Sequence, residues 1–494
     1  MNSLAWLKDF IRSKHLVLVF IGVVLLVVIF SVPRLNSWPR LWTDEALTIE
    51  LANNFSRTGT LNVETSPGHF FESPYLLQST GYPLTILLAL IFKIFGVSLT
   101  AGRLLMLVLM IVALLLILFF GKKIFENTDA ILAVLLIATF ASFYGSGRTI
   151  VGEIPGFIFL ISSIYFLFVA SNHYLGGLLL GLAVVTKPSV FLLALPAVAL
   201  VVLIERKDFF KKCLQIGAAV ILPVLAWVFL IIGNPVSKSV WVEILNFYKN
   251  PYGSVAISTN ITDNLLSFFH STTLIYFGAL FLAVIAARYF GGQTEQAIKS
   301  VRSRTQGEFA PNPTAFSVYN FAIFYSIFAF IYYLRSPGWL RYILIAELLI
   351  LFVLPSALSV IFKKNNKIVL MTVLFLSLVQ LIHLGTSAQI YSSDSAIKTA
   401  AFVNENFPGE SVGVYDSLEI SALLKTKNRY QKFTLMGVPT IGTDFLVNGT
   451  RPRVVLLRQG DRPSEEVEGI MSASYKQLSD INGYQIFELK DDEE

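Results

Sequence analysis

Two adjacent carboxylates, Asp44 and Glu45, stand in Trp42-Thr43-Asp44-Glu45 shortly after the first apolar run of the chain. A carboxylate held near a dry interface accepts a proton from a hydroxyl, so general-base chemistry is one use of such a pair. The competing reading is that Thr43 or Asp44 caps a helix through Ala46–Asn53, whose first turn favours acids. A second polar turn, Gly147-Arg148-Thr149-Ile150-Val151-Gly152-Glu153-Ile154-Pro155, lies between two further apolar runs. Charges beside lipid are costly, so Arg148 and Glu153 are expected to face a polar cavity, unless Glu153 and Pro155 only start a helix. Cations end other runs: Lys187 in Thr186-Lys187-Pro188, and Arg335 and Arg341 in Arg335-Ser336-Pro337-Gly338-Trp339-Leu340-Arg341-Tyr342. A phosphate at a membrane surface needs such partners, Arg as a fork and Lys as a point charge; any one of them alone could equally snorkel to headgroups. Glu347 reads as two turns inside the run that begins at Leu340, a depth at which an acid is a candidate site or a helix-pairing group. His69 and Glu72 share the first long loop with the two acids, as acceptor-side or metal candidates. No zinc-type ligand spacing accompanies them, so no cofactor is required, although a divalent cation is compatible.

The elements that must position these groups are membrane helices. Of the 494 residues, 55% are hydrophobic and 14% charged, and the mean hydropathy is +0.67. That excess of apolar surface excludes an ordinary soluble protein and makes the bilayer the solvent. The net charge of +6 does not point to nucleic acid, because the basic residues fall in short clusters between apolar runs, where they mark topology. Before about residue 389 there are 27 Lys and Arg against 16 Asp and Glu, and after it 11 against 16. The single cysteine, Cys213, forms no intramolecular disulfide.

Eleven runs are long enough to count as candidate spans, starting at Leu16, Leu104, Ala130, Ile154, Tyr174, Val190, Ile216, Thr272, Phe316, Leu340 and Ile368. Lys8, Arg12 and Lys14 precede the first run, which has no cleavage-site pattern after it and reads as a retained anchor. A twelfth run, Tyr82–Gly96, decides the orientation. If it dips into the outer leaflet without crossing, and the amino terminus is cytoplasmic, then Lys122-Lys123, Arg206-Lys207, Lys211-Lys212, Arg288, Lys299, Arg302, Arg304, Lys363-Lys364 and Lys367 all fall on the cytoplasmic side. The outer face then receives the loop of residues 33–102, the turns bearing Arg148, Glu153, Lys187, Arg335 and Arg341, and the carboxyl-terminal part. From residue 390 the pattern changes to short alternating elements: strands Ser411–Tyr415, Arg453–Leu457 and Gln485–Leu489, and helices Ala396–Asn406, Leu418–Leu424 and Glu465–Ser472. The expected architecture is a polytopic α-helical membrane protein of about eleven spans over residues 1–389, with a small extracytoplasmic α/β domain over 390–494.

The order and spacing of these motifs resembles the GT-C superfamily of integral-membrane glycosyltransferases, particularly the family 39 group of protein O-mannosyltransferases and lipid A aminoarabinose transferases. The resemblance is carried by Asp44-Glu45 after the first span, Tyr82-Pro83 opening an outer-leaflet helix that ends in Phe95-Gly96, Arg103 leading the next span, Arg148 with Glu153-Ile154-Pro155, and Thr186-Lys187-Pro188. It implies a GT-C-like fold and inverting transfer of a sugar from a polyprenyl-phosphate donor to a hydroxyl of a protein, glycolipid or polysaccharide acceptor, outside the cytoplasm. Asp44 would be the general base, Glu45 and Glu153 would support it or position the acceptor, Lys187 and Arg341 would hold the donor phosphate with Arg148 and Arg335 near, and Tyr82 would lie on the acceptor side. Two departures concern that side: Gly81-Tyr82-Pro83 replaces a doubled proline, and Glu153 stands where relatives often carry Asp. The rival reading is a transporter or flippase for a lipid-linked sugar. It fits less well, because carriers set charges near the midplane and often show repeated halves, and neither is visible here.

Overall fold

The computed structural model describes residues 14–205, 208–233, 237–249, 257–302, 313–435, 438–460, 463–481 and 483–490. Lys8, Arg12, Arg206, Lys207 and Arg304, used above for orientation, lie outside them. The helical part consists of α1 (Lys14–Ser31), α2 (Thr43–Thr58), α3 (Tyr82–Phe95), α4 (Leu99–Ile124), α5 (Asn127–Thr139), α6 (Glu153–Ile164), α7 (His173–Thr186), α8 (Ala194–Glu205), α9 (Phe209–Trp227), α10 (Lys238–Lys249), α11 (Ile257–His270), α12 (Thr272–Arg302), α13 (Pro313–Arg335), α14 (Leu344–Ile361) and α15 (Asn366–Ile390). A two-stranded hairpin, β1 (Glu64–Ser66) with β2 (His69–Phe70), decorates the first long loop.

Eight helical segments among the described residues are long and apolar enough to cross a bilayer, which needs about 20 residues. They include eight of the eleven runs read from the sequence. The other three runs form helices of 10–17 residues within Asn127–Thr139, Glu153–Val169 and His173–Thr186, as does Tyr82–Phe95. Length therefore does not establish a count of eleven. Leu18, Leu25, Ile29, Phe229 and Phe375 project outward with more than half of each exposed, as expected where the surroundings are lipid tails. The most enclosed span is α14, with 78% of its window buried. Polar groups inside the bundle find each other, as they must without water: Thr139 donates to Gln380 at 2.6 Å and Gln380 to Tyr276 at 2.9 Å, linking α5, α15 and α12.

The span expected from Leu340 begins later. Leu340–Tyr342 is a single 3-10 turn, and α14 starts at Leu344. Glu347, buried at 5% exposure, consequently sits in the first turn of that helix and not two turns inside it. The break follows from Pro337-Gly338, where Gly338 takes φ +78° and ends the continuation from α13.

After α15 come α16 (Ser395–Asn406), α17 (Leu418–Ser421) and α18 (Glu465–Ser474), with the strands β3 (Val412–Tyr415), β4 (Arg429–Lys432), β5 (Val454–Arg458), β6 (Tyr475–Ile481) and β7 (Tyr484–Leu489). They form a mixed sheet in the order β4-β3-β5-β7-β6, with β3 parallel to β4 and β5, and β7 antiparallel to β5 and β6. β4 and β6 are absent from the sequence expectation. Both are edge strands of polar composition, Arg-Tyr-Gln-Lys and Tyr-Lys-Gln-Leu-Ser-Asp-Ile, and such strands carry little hydrophobic signal.

Helix α2 runs through the first long loop and is tied to the bundle by charge. Glu45 is fully buried and accepts a fork from Arg103 of α4, Nε to Oε1 at 2.9 Å and Nη2 to Oε2 at 2.6 Å, plus the Ile150 amide at 3.1 Å. Arg103 also donates to the Leu35 carbonyl at 2.7 Å. Arg148, likewise buried, donates to the carbonyls of Phe30 and Arg34 at 3.1 and 2.6 Å, satisfying the open end of α1, and stacks on Trp38 at 4.7 Å. Breaking a buried pair on one side strands the other charge. Arg103→Met is therefore expected to lower unfolding stability by about 3–5 kcal/mol, and the double variant E45M/R103M to recover most of that loss. Denaturant titration of the purified chain in one detergent checks both values.

Candidate active site

Four of the charged residues singled out in the sequence come together around the start of α2. Asp44 lies in the first turn of α2, with its Oδ2 2.5 Å from Nη1 of Arg341 in the 3-10 turn before α14. Glu153 opens α6, and its Oε1 is 3.8 Å from Nζ of Lys187, which follows α7. The two pairs adjoin: Lys187 acts electrostatically on Asp44, and Glu153 on Arg341. Acid and base groups thus alternate in a cluster whose formal charge is zero. It is graded in depth. Lys187 and Glu153 are 2% and 1% exposed, whereas Arg341 and Asp44 are 13% and 22% exposed, so the Asp44 side is the more accessible.

Local backbone makes this convergence feasible. A Cβ on Gly152 would overlap the Thr186 carbonyl; glycine there lets the start of α6 approach the end of α7, bringing Glu153 beside Lys187. Asn264 of α11 donates to the carbonyls of Tyr333, Leu334 and Ser336 at 3.1, 3.1 and 2.6 Å, capping α13 ahead of the turn that carries Arg341. The Arg341 guanidinium sits among Trp42 at 4.5 Å, Trp339 at 4.5 Å and Tyr342 at 5.4 Å. Such a cage suits a planar cation and restricts its rotamers. Sequence reasoning identified Arg341 but not its aromatic walls or Asn264, because neither has a local pattern that points to the turn.

The Asp44 carboxyl responds to two opposing influences. Burial pushes its proton affinity up, but Arg341 and Lys187 together outweigh that and hold it below the usual carboxylate range. The ionised carboxylate is therefore favoured, and its side chain is 22% exposed. Buried polar atoms nearby lack intramolecular hydrogen-bond partners: Oε2 of Glu153 and Nε of Arg341. A polar group entering the cluster would find both an acceptor and a donor.

Other expected site residues fall elsewhere. Glu45 is next to Asp44 in sequence but turned away, with its oxygens taken by Arg103 and the Ile150 amide. Arg148 donates to the backbone carbonyls of Phe30 and Arg34, while its buried Nε has no hydrogen-bond partner among the described residues. Arg335 is exposed in the last turn of α13, where a cation complements the helix end. His69 and Glu72 are exposed on and beside the β1–β2 hairpin. Tyr82 opens α3 and donates to the Pro223 carbonyl at 3.3 Å. Among the described residues no group of three or more His, Cys, Asp or Glu side chains is placed to hold a metal ion, and both carboxylates of the cluster already face cations.

Known proteins share the fold of this chain. Residues 83–230 match the family model of dolichyl-phosphate-mannose-protein mannosyltransferases. No curated protein matches the chain at a significant level by sequence. Among solved structures, ArnT from Cupriavidus metallidurans bound to undecaprenyl phosphate superposes with a TM-score of 0.60 at 13% identity, covering 96% of this chain and 98% of that one. The Archaeoglobus fulgidus oligosaccharyltransferase tethered to an acceptor peptide containing the NVT sequon gives 0.55 at 14% identity, covering 91% and 70%. Archaeal oligosaccharyltransferase AglB from the same organism, in complex with an inhibitory peptide and a dolichol-phosphate, gives 0.54 at 13%, again covering 91% and 70%. These identities speak to fold. In its matched segment and in its whole architecture, the chain resembles the GT-C integral-membrane glycosyltransferases.

Proposed function

We propose that this protein is an inverting glycosyltransferase that moves a sugar from a polyprenyl-phosphate donor to an acceptor hydroxyl at the extracytoplasmic membrane surface. The observation that carries the proposal is the alternating cluster Asp44, Arg341, Glu153 and Lys187, open on the Asp44 side and set in a membrane fold. The family match and the lipid phosphates held by structures of the same fold support the donor class.

In the proposed reaction the acceptor oxygen forms a bond to the anomeric carbon while the bond from that carbon to the phosphate oxygen breaks. The acceptor proton goes to Asp44, and the polyprenyl phosphate leaves with an additional negative charge. Phosphate is a weakly basic leaving group, so no general acid is needed; Lys187 and Arg341 meet the growing charge. Glu153 orients Lys187 and offers its unpartnered oxygen to a hydroxyl of the sugar or acceptor.

Arg341 links the two halves of the reaction. While paired with Asp44 it keeps the carboxylate a poor base, because its positive charge favours the ionised form. A donor phosphate competes for the same guanidinium. Once it draws Arg341 and Lys187 away, the proton affinity of Asp44 rises toward the working range of a general base. Donor binding before acceptor follows. A carrier reading finds less support, since the four groups gather at helix ends on one rim.

Asp44→Asn is expected to reduce transfer from a polyprenyl-phosphate sugar by about 10²–10⁴-fold with the folded chain retained; parental rates would remove Asp44 from the base role. Arg341→Met removes the cation that depresses the Asp44 carboxyl. With donor below its KM, where Arg341 is still paired with Asp44 in the wild type, the acid limb of the transfer-rate profile is then expected to move to higher pH, because a carboxyl that has lost its cation protonates earlier as pH falls. A limb that stays in place or moves down contradicts the assignment. In the same variant the donor KM is expected to rise.

A further inference from the structure

Helix α2 carries a third buried acid that the proposed reaction does not use. At 3.6 residues per turn, Asp44, Glu45 and Glu50 leave the helix in directions separated by about 100–140°. Each meets an arginine from a different part of the chain: Arg341 before α14, Arg103 in α4, and Arg429 in β4. Glu50 is fully buried and Arg429 6% exposed, with Nη2 to Oε1 at 2.8 Å. Asn54, one turn along, donates to the same oxygen at 3.2 Å. The other arm of Arg429 donates to the Ser421 carbonyl of α17 at 2.5 Å, so the guanidinium joins α2 to two elements of the carboxyl-terminal α/β region. The contact is broad: α17 packs on α2, β1 packs on β4, and Gln431 of β4 donates to the Glu64 carbonyl of β1.

We propose that Arg429 is a positioning residue for Asp44, and that the carboxyl-terminal α/β region is thereby part of the machinery that sets the geometry of the site. Glu45 and Arg103 fix one side of α2, but a rod held on one side retains freedom to roll about that side. The Glu50 contact, on a different face, removes it. The requirement is strict, since a catalytic group must be held within about 0.5 Å and 10–20° of its productive geometry. A misplacement of about 1 Å costs up to ~10²-fold in rate. A second oxygen of Glu50, Oε2, has no hydrogen-bond partner in the structure, so the hold on this carboxylate rests on Arg429 and Asn54.

The inference rests on the base role proposed for Asp44, and its test separates the two. The full-length chain in detergent is compared as wild type, Arg429→Met, Arg429→Lys and Glu50→Gln, the last keeping shape and hydrogen bonding if the first folds poorly. Amide hydrogen exchange is expected to accelerate at least about tenfold over residues 44–50 in R429M, less in E50Q, and to return toward wild type in R429K. Unchanged protection of those residues overturns the proposal whatever the activity. In transfer assays kcat is expected to fall about 10–100-fold in R429M, with the donor KM within about twofold of wild type and partial rescue by R429K. Faster exchange with unchanged kcat in an active wild-type background also overturns it. A wild type that transfers no sugar sinks the glycosyltransferase reading instead, and the exchange measurement still decides the clamp.

Discussion

A carboxylate removed from water must be compensated, and this requirement organises the surroundings of helix α2. Helix α2 places three acids in surroundings that exclude most solvent, and each draws an arginine from a distant segment. The three contacts differ in completeness. Glu45 and Arg103 exchange two hydrogen bonds with neither side exposed, while Asp44 and Arg341 share one and remain partly open. Buried forked pairs serve as fixed points because releasing either partner costs several kcal/mol. The open pair can be exchanged for another ligand at smaller cost. One helix therefore holds both an anchor and the proposed base on adjacent residues, about 100° apart around its axis.

The neutral composition of the cluster bears on how it would treat a lipid-linked anion. Two cations facing two carboxylates attract a phosphate less than two bare cations would, yet they do not leave a large unbalanced charge beside the bilayer when no donor is present. The proposed reaction moves a proton onto Asp44 at the moment the departing phosphate gains charge. With Arg341 already drawn to the donor phosphate, protonation of Asp44 would leave no anion competing for the guanidinium as the phosphate gains charge. The walls formed by Trp42, Trp339 and Tyr342 suit that exchange, since they hold the guanidinium plane by its faces and leave its edges to change partners.

The membrane character and most helices were legible in the sequence, because hydrophobic runs are local and the bilayer demands them. Three strands and three helices of the carboxyl-terminal part were legible for the same reason, within a few residues of their ends. Asp44, Glu153, Lys187 and Arg341 could be singled out because charges at the ends of apolar runs are conspicuous. What the sequence did not disclose is which partner each charge takes. Glu45 and Arg148 carried the same local signal as Asp44 and Glu153, yet they bind Arg103 and the end of α1. Those choices depend on contacts between segments 58 and 114 residues apart. Glu50 and Arg429, 379 residues apart, gave no signal at all, since a lone acid in a polar helix and a lone base in an edge strand are ordinary. The span count stayed open because α5, α6 and α7 are shorter than a bilayer requires of a straight helix, although each is mostly apolar.

The same comparison bears on how an acid in such a fold is recognised as reactive. Burial alone does not select it: Glu45, Glu50 and Glu153 are all more buried than Asp44. Nor does proximity to a cation, since all four have one. The discriminating property is unused acceptor capacity at an accessible edge. Glu45 accepts three hydrogen bonds from a rigid fork and a backbone amide, so a substrate proton would have to displace a contact that holds the helix in place. Asp44 accepts its hydrogen bond from a side chain that a phosphate could recruit, and its loss leaves the α2 contacts of Glu45 and Glu50 in place. A base must change its protonation state on every turnover, whereas an anchor must never do so. Placing the two functions on neighbouring residues, with only the anchor locked, lets the site titrate without loosening the helix that presents it.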